Sequence, residues 1–167
     1  VRVTDHSERV PYTIADADVD AGTITLIVQA VGESSQRLVA LEAGDMIHDI
    51  VGPLGQATHI ENFGTVVCAG GGVGMAPLYP IARALKAAGN KVIVVAAART
   101  KELIILEKEF REFADEIIIM TDDGSYGTKG LVTDGVESVI KREKVDLCVT
   151  IGPAIMMKFV ALLTKKY

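Results

Sequence analysis

From Gly64 onward, short and almost wholly apolar segments alternate with longer amphipathic ones. The apolar segments are TVVCA, VIVVAAA, EIIIMT and LCVTI, and helical segments such as APLYPIARALKAAG and KELIILEKEFREFA stand between them. A strand that is apolar at every position has to be covered on both faces, which is the environment of a parallel sheet flanked by helices. The pattern therefore predicts an α/β unit over residues 63–167.

Residues 1–62 have a different pattern, in which β-like segments are separated by turn signals. The strands expected here are Thr23–Val31 and Asp45–Val51. Ser34–Leu41 is predicted as a single short helix, capped by Ser34 or Ser35. This part is therefore expected to form a partial antiparallel β-barrel or meander. The chain as a whole is predicted to contain two domains that meet near residue 63.

Composition excludes several classes of partner. The formal net charge is −5 and the pI is near 5.2, so the chain has no basic stripe with which to bind nucleic acid or an anionic membrane. No apolar run reaches the ~18 residues that a membrane span needs, and no signal peptide opens the chain. Cys68 and Cys148 lie in apolar strand segments and suggest neither a metal site nor a disulfide. We therefore expect a cytoplasmic protein without a membrane span.

The glycine loop, Gly70–Gly74, lies where the first apolar strand turns into a helix. At this position parallel sheets bind nucleotide phosphates on backbone N–H groups and on the positive end of the helix dipole. The sequence from Gly72 reads G-x-G-x-x-P, with Pro77 where the dinucleotide fingerprint has its third glycine. A nucleotide site is predicted over the loop and the first helical turn, and a plain tight turn is the alternative. The residues concerned are Gly70, Gly71, Gly72, Val73, Gly74, Met75, Ala76 and Pro77.

Three further strand ends are expected at the same edge of the sheet. The second strand ends at Arg99-Thr100, where an arginine favours the 2′-phosphate of NADP and an acidic residue would favour NAD; a solvated arginine is the alternative. A polar loop follows the third strand, and Gly152-Pro153 with Met156 follows the fourth. The loop side chains are expected to bind ribose or the nicotinamide amide, and Gly152-Pro153 is expected to border the cleft; Met156 either packs or lines the nicotinamide end. The loop residues are Asp122, Asp123, Gly124 and Ser125.

The stretches AGGGVGMAPL, AART, TDDGSYGTKG and IGPAIMMK together resemble the nucleotide domain of the ferredoxin–NADP reductase superfamily. Within it the chain most resembles the small subunit of NADH-dependent ferredoxin:NADP oxidoreductase, which is also known as sulfide dehydrogenase or as the gamma subunit of sulfhydrogenase. The electron-transfer subunit of dihydroorotate dehydrogenase is a near relative. The resemblance implies an FAD-binding barrel ahead of the nucleotide domain. It also implies that these 167 residues are a fragment, because further barrel strands and a cysteine-rich segment for a [2Fe–2S] cluster are not among them.

The resemblance also assigns flavin contacts. In this family an Arg-x-Tyr-Ser/Thr stretch holds the flavin, and Arg9 to Thr13 is similar with one extra residue. Tyr12 is implied to lie against the ring, Thr13 near its N5 edge, and Arg9 at the pyrophosphate. Ordinary strand packing is the alternative for Tyr12 and Thr13. Gly32, Ser34 and Ser35 are similar to the turn that contacts flavin phosphate, and Gly52 to a turn that closes the barrel; a plain turn is the alternative for both.

The implied activity is electron transfer between NAD(P)H and FAD, and onward to a larger redox subunit that carries flavin or iron–sulfur centres. The cofactors carry such chemistry, so no acid or base residue is predicted. One alternative is a non-catalytic NAD(P)-binding or docking module. A conventional Rossmann dehydrogenase is less consistent with Pro77 and Arg99. The final electron acceptor is left open by the sequence.

Overall fold

The computed structural model describes all residues, 1–167, and the chain divides into two compact units, Val1–Thr58 and His59–Tyr167. Five parallel strands form the sheet of the second unit, in the spatial order β6-β5-β4-β3-β7. This confirms the predicted parallel sheet. The strands are β3 (Thr65–Gly71), β4 (Lys91–Ala98), β5 (Glu116–Thr121), β6 (Thr128–Lys129) and β7 (Leu147–Ile151). The sequence did not predict β6, because two exposed polar residues carry no apolar signal.

Helices cover both faces of this sheet and create two separate cores. Val66 and Cys68 of β3 face the core that α2 closes, and the alternate residues Val67 and Ala69 face the core that α4 and α5 close. β3 and β4 are consequently buried along almost their whole length, as a sheet covered on both sides requires. The helices are α2 (Met75–Ala87), α3 (Glu107–Arg111), α4 (Val132–Arg142) and α5 (Ala154–Thr164). None of the helices is long and apolar enough to cross a membrane.

The predicted helix over residues 101–114 is wrong for its first half. Lys101–Leu103 forms a single 3₁₀ turn, and α3 begins only at Glu107. Leu106, directly before it, has a left-handed backbone with φ of 58°, which a continuous helix does not allow. Ile104, Ile105 and Leu106 pack against the first core. Burial of these side chains therefore overrides the helical pattern.

In the first unit, β1 (Ile14–Asp18) and β2 (Thr23–Leu26) form an antiparallel hairpin, and α1 (Glu33–Val39) follows. The predicted strand from Thr23 is therefore shorter than expected. The predicted strand Asp45–Val51 is wrong, since its backbone makes only an isolated bridge between Asp49 and Arg2 and has no continuous partner.

The expected cap of α1 is also corrected. Gly32 is the cap residue, and Ser35 lies in the first helical turn. The Ser35 Oγ accepts hydrogen bonds from the N–H groups of Val31 and Gly32 at 3.0 and 2.9 Å, and donates to the Gly32 carbonyl at 2.8 Å. Ser35 therefore fixes the turn from inside the helix.

Candidate functional site

The strand order of the second unit reverses beside β3. The chain moves from β3 to β4 and β5 on one side, and β7 returns to the other side. In open parallel sheets the ligand crevice lies outside the carboxyl ends of the strands at such a switch point. The carboxyl edge formed by the ends of β3, β4, β5 and β7 is therefore the place to look for a site.

The glycine loop continues from the end of β3 through a 3₁₀ turn, Gly72–Gly74, into α2. Gly72 has a φ of 55°, in the left-handed region, and a Cβ atom built there would meet nothing within 4 Å. The backbone angle thus requires glycine, and the space beside it is open. The first turn of α2 carries no acidic side chain. These features provide backbone N–H groups and a positive helix end for an anion.

Other glycines of this region are required by close packing between two loops. A Cβ on Gly74 would lie 2.4 Å from the carbonyl oxygen of Ile151, and one on Gly152 would lie 3.2 Å from the nitrogen of Gly71. The turn after β7 therefore packs directly against the backbone of the glycine loop. Of the predicted residues in and after the loop, Val73 is exposed and Gly72 and Pro77 are half-buried, whereas the others are buried.

Met156 of α5 packs between these two loops. Its sulfur would lie 2.4 Å from a Cβ on Gly71, and its methyl group 2.6 Å from a Cβ on Gly152. The side chain is half-buried against the second core. Pro153 precedes α5 and also borders Gly71. The structure therefore places Met156 and Pro153 where they hold the loops together.

Arg99 and Thr100 follow β4 at the same edge. Arg99 is exposed, and its guanidinium makes no hydrogen bond or ion pair. The hydroxyl of Thr100 hydrogen-bonds the carboxylate of Glu102, and this contact is the main cause that lowers the pKa of Glu102. Arg99 is therefore the available cation at this end of the edge.

The polar loop after β5 is largely hydrogen-bonded within itself. The hydroxyl of Ser125 donates to Asp123 Oδ1 at 2.7 Å, and its N–H donates to the same atom at 2.9 Å. These two hydrogen bonds lower the pKa of Asp123. Gly124 has a φ of 77° and turns the loop, while the carboxylate of Asp122 is exposed. Asp123 and Ser125 are thus bonded to each other, although both residues are exposed.

Sequence reasoning missed Tyr126 and Glu107. The hydroxyl of Tyr126 donates to Glu107 Oε1 at 2.9 Å, and the ammonium of Lys101 lies 5.2 Å from the Tyr126 ring centre. Burial raises the pKa of Glu107, but hydrogen bonds from Arg111 and Tyr126 lower it by more. Glu107 lies in a charged helical segment, and only its tertiary partner Tyr126 distinguishes it from the charged residues around it.

A second candidate site lies in the first unit, where an open pocket of about 520 Å³ brings two predicted stretches together. Tyr12, Gly32, Ser34 and Ser35 all line it. The Tyr12 hydroxyl is buried and has no hydrogen-bond partner. Ser34 is half-buried with a free hydroxyl, whereas the Ser35 hydroxyl is fully used by the turn. The pocket therefore has two unused hydroxyl groups for a polar ligand.

Arg9, Thr13 and Gly52 were predicted for the same site but do not line this pocket. The guanidinium of Arg9 donates to both carboxylate oxygens of Asp49 at 2.9 Å, and Arg2 binds the same carboxylate. Burial raises the pKa of Asp49, while the two arginines lower it by more. Thr13 and Gly52 are exposed.

The two cysteines point to opposite faces of the sheet. Cys68 lies in the first core and Cys148 packs against the second. Burial raises the pKa of Cys68 to about 12 and that of Cys148 to about 11. Neither thiol is therefore placed to bind a shared metal ion or cluster.

Comparison with known proteins places these features in a family. The family model of the oxidoreductase NAD-binding domain matches residues 68–162, which include the glycine loop and the turn after β7. A Thermotoga maritima protein, named as a homologue of the electron transfer subunit of dihydroorotate dehydrogenase B (NAD(+)), is 45% identical over 167 residues. The electron transfer subunit of that enzyme from Bacillus mycoides is 33% identical over 153 residues and covers 90% of the chain.

A solved structure agrees over both units of the chain. The structure of an NADH-dependent reduced ferredoxin-NADP oxidoreductase, described in connection with flavin-based electron bifurcation, is 44% identical and covers 99% of this chain with a TM-score of 0.91. The chain covers 59% of that structure and 59% and 58% of the Thermotoga and Bacillus proteins, so it spans about three fifths of their length.

Proposed function

The chain belongs to the oxidoreductase NAD-binding domain family, and we propose that it binds a nicotinamide dinucleotide at the carboxyl edge of its parallel sheet. The pyrophosphate would lie on the glycine loop and the first turn of α2. The observation that carries this assignment is the open space beside Gly72, next to a helix end without acidic side chains. An anion is stabilised at such a helix end by free N–H groups and the helix dipole.

Two observations bear on the choice between NADH and NADPH. The free guanidinium of Arg99 supports a 2′-phosphate, because arginine binds phosphate through its planar fork of donors. The names of the similar proteins contain NAD(+) in one case and both NADH and NADP in the other, and so support either nucleotide. Both nucleotides therefore belong in one binding experiment, in which Arg99→Ala reports the contribution of the guanidinium.

The first unit is proposed to contribute to an FAD site. The pocket provides the ring of Tyr12 with a buried, unpaired hydroxyl, and the free hydroxyl of Ser34, which suits a ligand with an aromatic part and phosphate oxygens. When bound, FAD would exchange hydride with the nicotinamide and single electrons with an acceptor. If Arg9 binds the flavin pyrophosphate, its guanidinium has to bind Asp49 and the pyrophosphate at the same time.

The proposed role is that of an electron-transfer subunit, a flavin-dependent NAD(P)H reductase that passes electrons to a larger redox subunit. Support comes from the proteins it resembles, which are named as electron transfer subunits. The [2Fe–2S] cluster and the iron–sulfur partner implied by the family stay predictions. Cys68 and Cys148 are not suited as cluster ligands, because they lie on opposite faces of the sheet, Cys68 buried and Cys148 half-buried.

The nucleotide assignment is tested with Gly72→Val and a matched control, Gly22→Val. Gly22 has a φ of 65° and open space around it, like Gly72, but it lies in the hairpin of the first unit. The same backbone strain is thus introduced at both positions. Calorimetric titration with NADH and NADPH should show binding lost in the Gly72 variant and retained in the control. Equal affinity of the two variants would refute the glycine-loop site.

A second experiment separates the reductase from a non-catalytic NAD(P)-binding or docking module. The protein is mixed with FAD without oxygen, and the flavin absorbance is followed before and after NADH or NADPH is added. Bound flavin that bleaches supports the reductase, and Tyr12→Ala should weaken flavin binding. Nucleotide binding without flavin binding would favour the docking module.

A further inference from the structure

The short segment that carries Arg99 is held by the loop after β5. The N–H of Asp123 donates to the carbonyl of Arg99 at 3.2 Å, and the N–H of Lys101 donates to the hydroxyl oxygen of Ser125 at 2.9 Å. Hydrogen bonds thus fix the backbone at Arg99 and again two residues later. The same Ser125 hydroxyl donates to Asp123 Oδ1, so one side chain connects both strand ends.

Further contacts fix the loop itself. Thr121, which is fully buried, donates its hydroxyl to the carbonyl of Tyr126 at 2.7 Å and accepts the N–H of Tyr126 at 3.2 Å. Tyr126 is in turn bound to Glu107 of α3 and lies beneath the ammonium of Lys101. The loop therefore has a defined backbone on which the Arg99 segment rests.

Asp123 and Ser125 are both exposed, but the Ser125 hydroxyl and one carboxylate oxygen of Asp123 already have hydrogen-bond partners within the protein. Ser125 uses its hydroxyl hydrogen on Asp123 and its oxygen on Lys101 N–H. Asp123 Oδ1 already accepts two hydrogen bonds. A hydrogen bond donated by the Ser125 hydroxyl to ribose would have to replace its bond to Asp123, whereas the guanidinium of Arg99 is free to meet a ligand. This differs from the expectation that the loop side chains contact the nucleotide directly.

We propose that Ser125 is a positioning residue that, through its hydrogen bonds to Lys101 and Asp123, orients Arg99 toward the adenosine ribose end of the nucleotide and does not bind the nucleotide itself. This inference rests on the proposed nucleotide site. Arginine loses considerable rotamer freedom when it binds a ligand, so a fixed backbone beneath it reduces the cost of binding. The effect of Ser125 on affinity should therefore depend on the presence of Arg99.

A double-mutant cycle of Ser125→Ala and Arg99→Ala tests this dependence. NADH and NADPH affinities are measured by calorimetry, and the better-bound nucleotide is used. In the native background Ser125→Ala should weaken binding about 2- to 10-fold, the value of one hydrogen bond. In the Arg99→Ala background the same change should alter affinity by less than about 2-fold.

Two further variants serve as controls. Ser138→Ala removes a serine hydroxyl that donates to the Gly135 carbonyl in α4, and it should leave affinity unchanged in both backgrounds. Ser125→Thr keeps the hydroxyl and should restore most of the native affinity. A purely structural role of Ser125 would not disappear when Arg99 is removed, so the cycle separates positioning from loss of fold.

The outcomes are distinct. If Ser125→Ala lowers nucleotide affinity equally in the native and the Arg99→Ala background, Ser125 acts independently of Arg99 and the inference is overturned. No loss of affinity in either background would overturn it as well. If Arg99→Ala changes the affinity for neither nucleotide while Gly72→Val still abolishes binding, the inference fails and the nucleotide site stands. If Gly72→Val also retains affinity, the proposed function fails with it.

Discussion

The two units of the chain differ in how fully they bury their apolar side chains. In the second unit, two cores enclose the sheet, and Phe110, Leu78 and Val94 are completely buried. In the first unit only Val3, Ala15 and Ser35 are buried. Several of its large apolar residues are exposed, among them Val19, Val31, Met46 and Leu54. Stability measured on this chain should therefore come mainly from the second unit, while the first presents an open pocket.

The largest loss of stability is expected when Phe110 of the second unit is replaced by alanine. The Phe110 ring is buried and stands edge-on to Tyr79, with centroids 5.3 Å apart. Its removal should lower the free energy of unfolding by about 3–5 kcal/mol. Met46→Ala, at a residue 88% exposed in the first unit, should change it by less than about 0.5 kcal/mol. Urea unfolding, monitored by labelling of Cys68 and Cys148, measures the unfolding free energy of each variant. If the two substitutions lowered it by similar amounts, the contrast between the units would be contradicted.

A smaller effect is expected where the two loops of the second unit touch. Gly74→Ala would place a Cβ 2.4 Å from the Ile151 carbonyl oxygen. The two loops would have to move apart, which should lower the free energy of unfolding by about 1–3 kcal/mol and weaken nucleotide binding. Gly32→Ala is the matched change in the first unit, where a Cβ meets nothing and the backbone is extended. That control removes the glycine cap of the short helix α1 and should therefore lower stability by less than the Gly74 change and leave nucleotide binding unchanged. A Gly74 variant with native stability and affinity would show that the loops do not depend on each other.

Acid should weaken an ion pair at the amino-terminal edge of the second sheet. The carboxylate of Asp115 accepts Lys86 Nζ and the Val92 N–H at 2.7 Å. Burial raises its pKa, but these contacts lower it by more. Its stabilisation is present above the unfolded pKa of about 3.9 and is lost as the pH falls through the lower folded value.

Asp115→Asn should therefore reduce stability at pH 7 by at most about 1 kcal/mol, since the pair is partly solvated. The loss should shrink toward pH 2. Urea unfolding across pH 2–7 measures this dependence. A loss that stays constant with pH would show that the carboxylate charge is not its source.

The smallest effect on global unfolding is expected for Asp49→Asn in the first unit. Arg2 and Arg9 hold the pKa of Asp49 below its ordinary value, so this carboxylate stays charged as the pH falls past the usual range. An NMR titration of the native side chain should show that shift. The substitution should leave the urea unfolding of the second unit unchanged, and a clear change there would contradict the separation of the two units.

The sequence predicted the parallel sheet well, because β3, β4, β5 and β7 are apolar over most of their length and this local signal agrees with the final fold. It failed where tertiary contacts decide the local structure. Leu106 leaves the helical region so that its neighbours can be buried, and the segment from Asp45 finds no strand to pair with. Neither outcome is encoded in periodicity.

In the candidate site, too, local features could be predicted from the sequence and tertiary contacts could not. The position of the glycine loop between strand and helix could be predicted, because that junction is local. The contact of Gly74 with Ile151 could not, because the two residues are far apart in the chain. Sequence motifs likewise could not predict the partners of Ser125 and Arg9. The Ser125 hydroxyl and the Arg9 guanidinium, both assigned to ligands, have Lys101 and Asp49 as partners in the structure.

The support that the turn after β7 gives to the glycine loop has a consequence for the order of folding. β3 is the first strand of its sheet to be synthesised, yet Ile151 and Gly152 follow only after β4, β5, β6 and the intervening helices. Contacts between distant parts of a chain form late, since the loop between them has to close first. A nascent chain therefore has the phosphate-binding sequence long before it has the loop geometry, and ligand capture becomes one of the last events in its maturation.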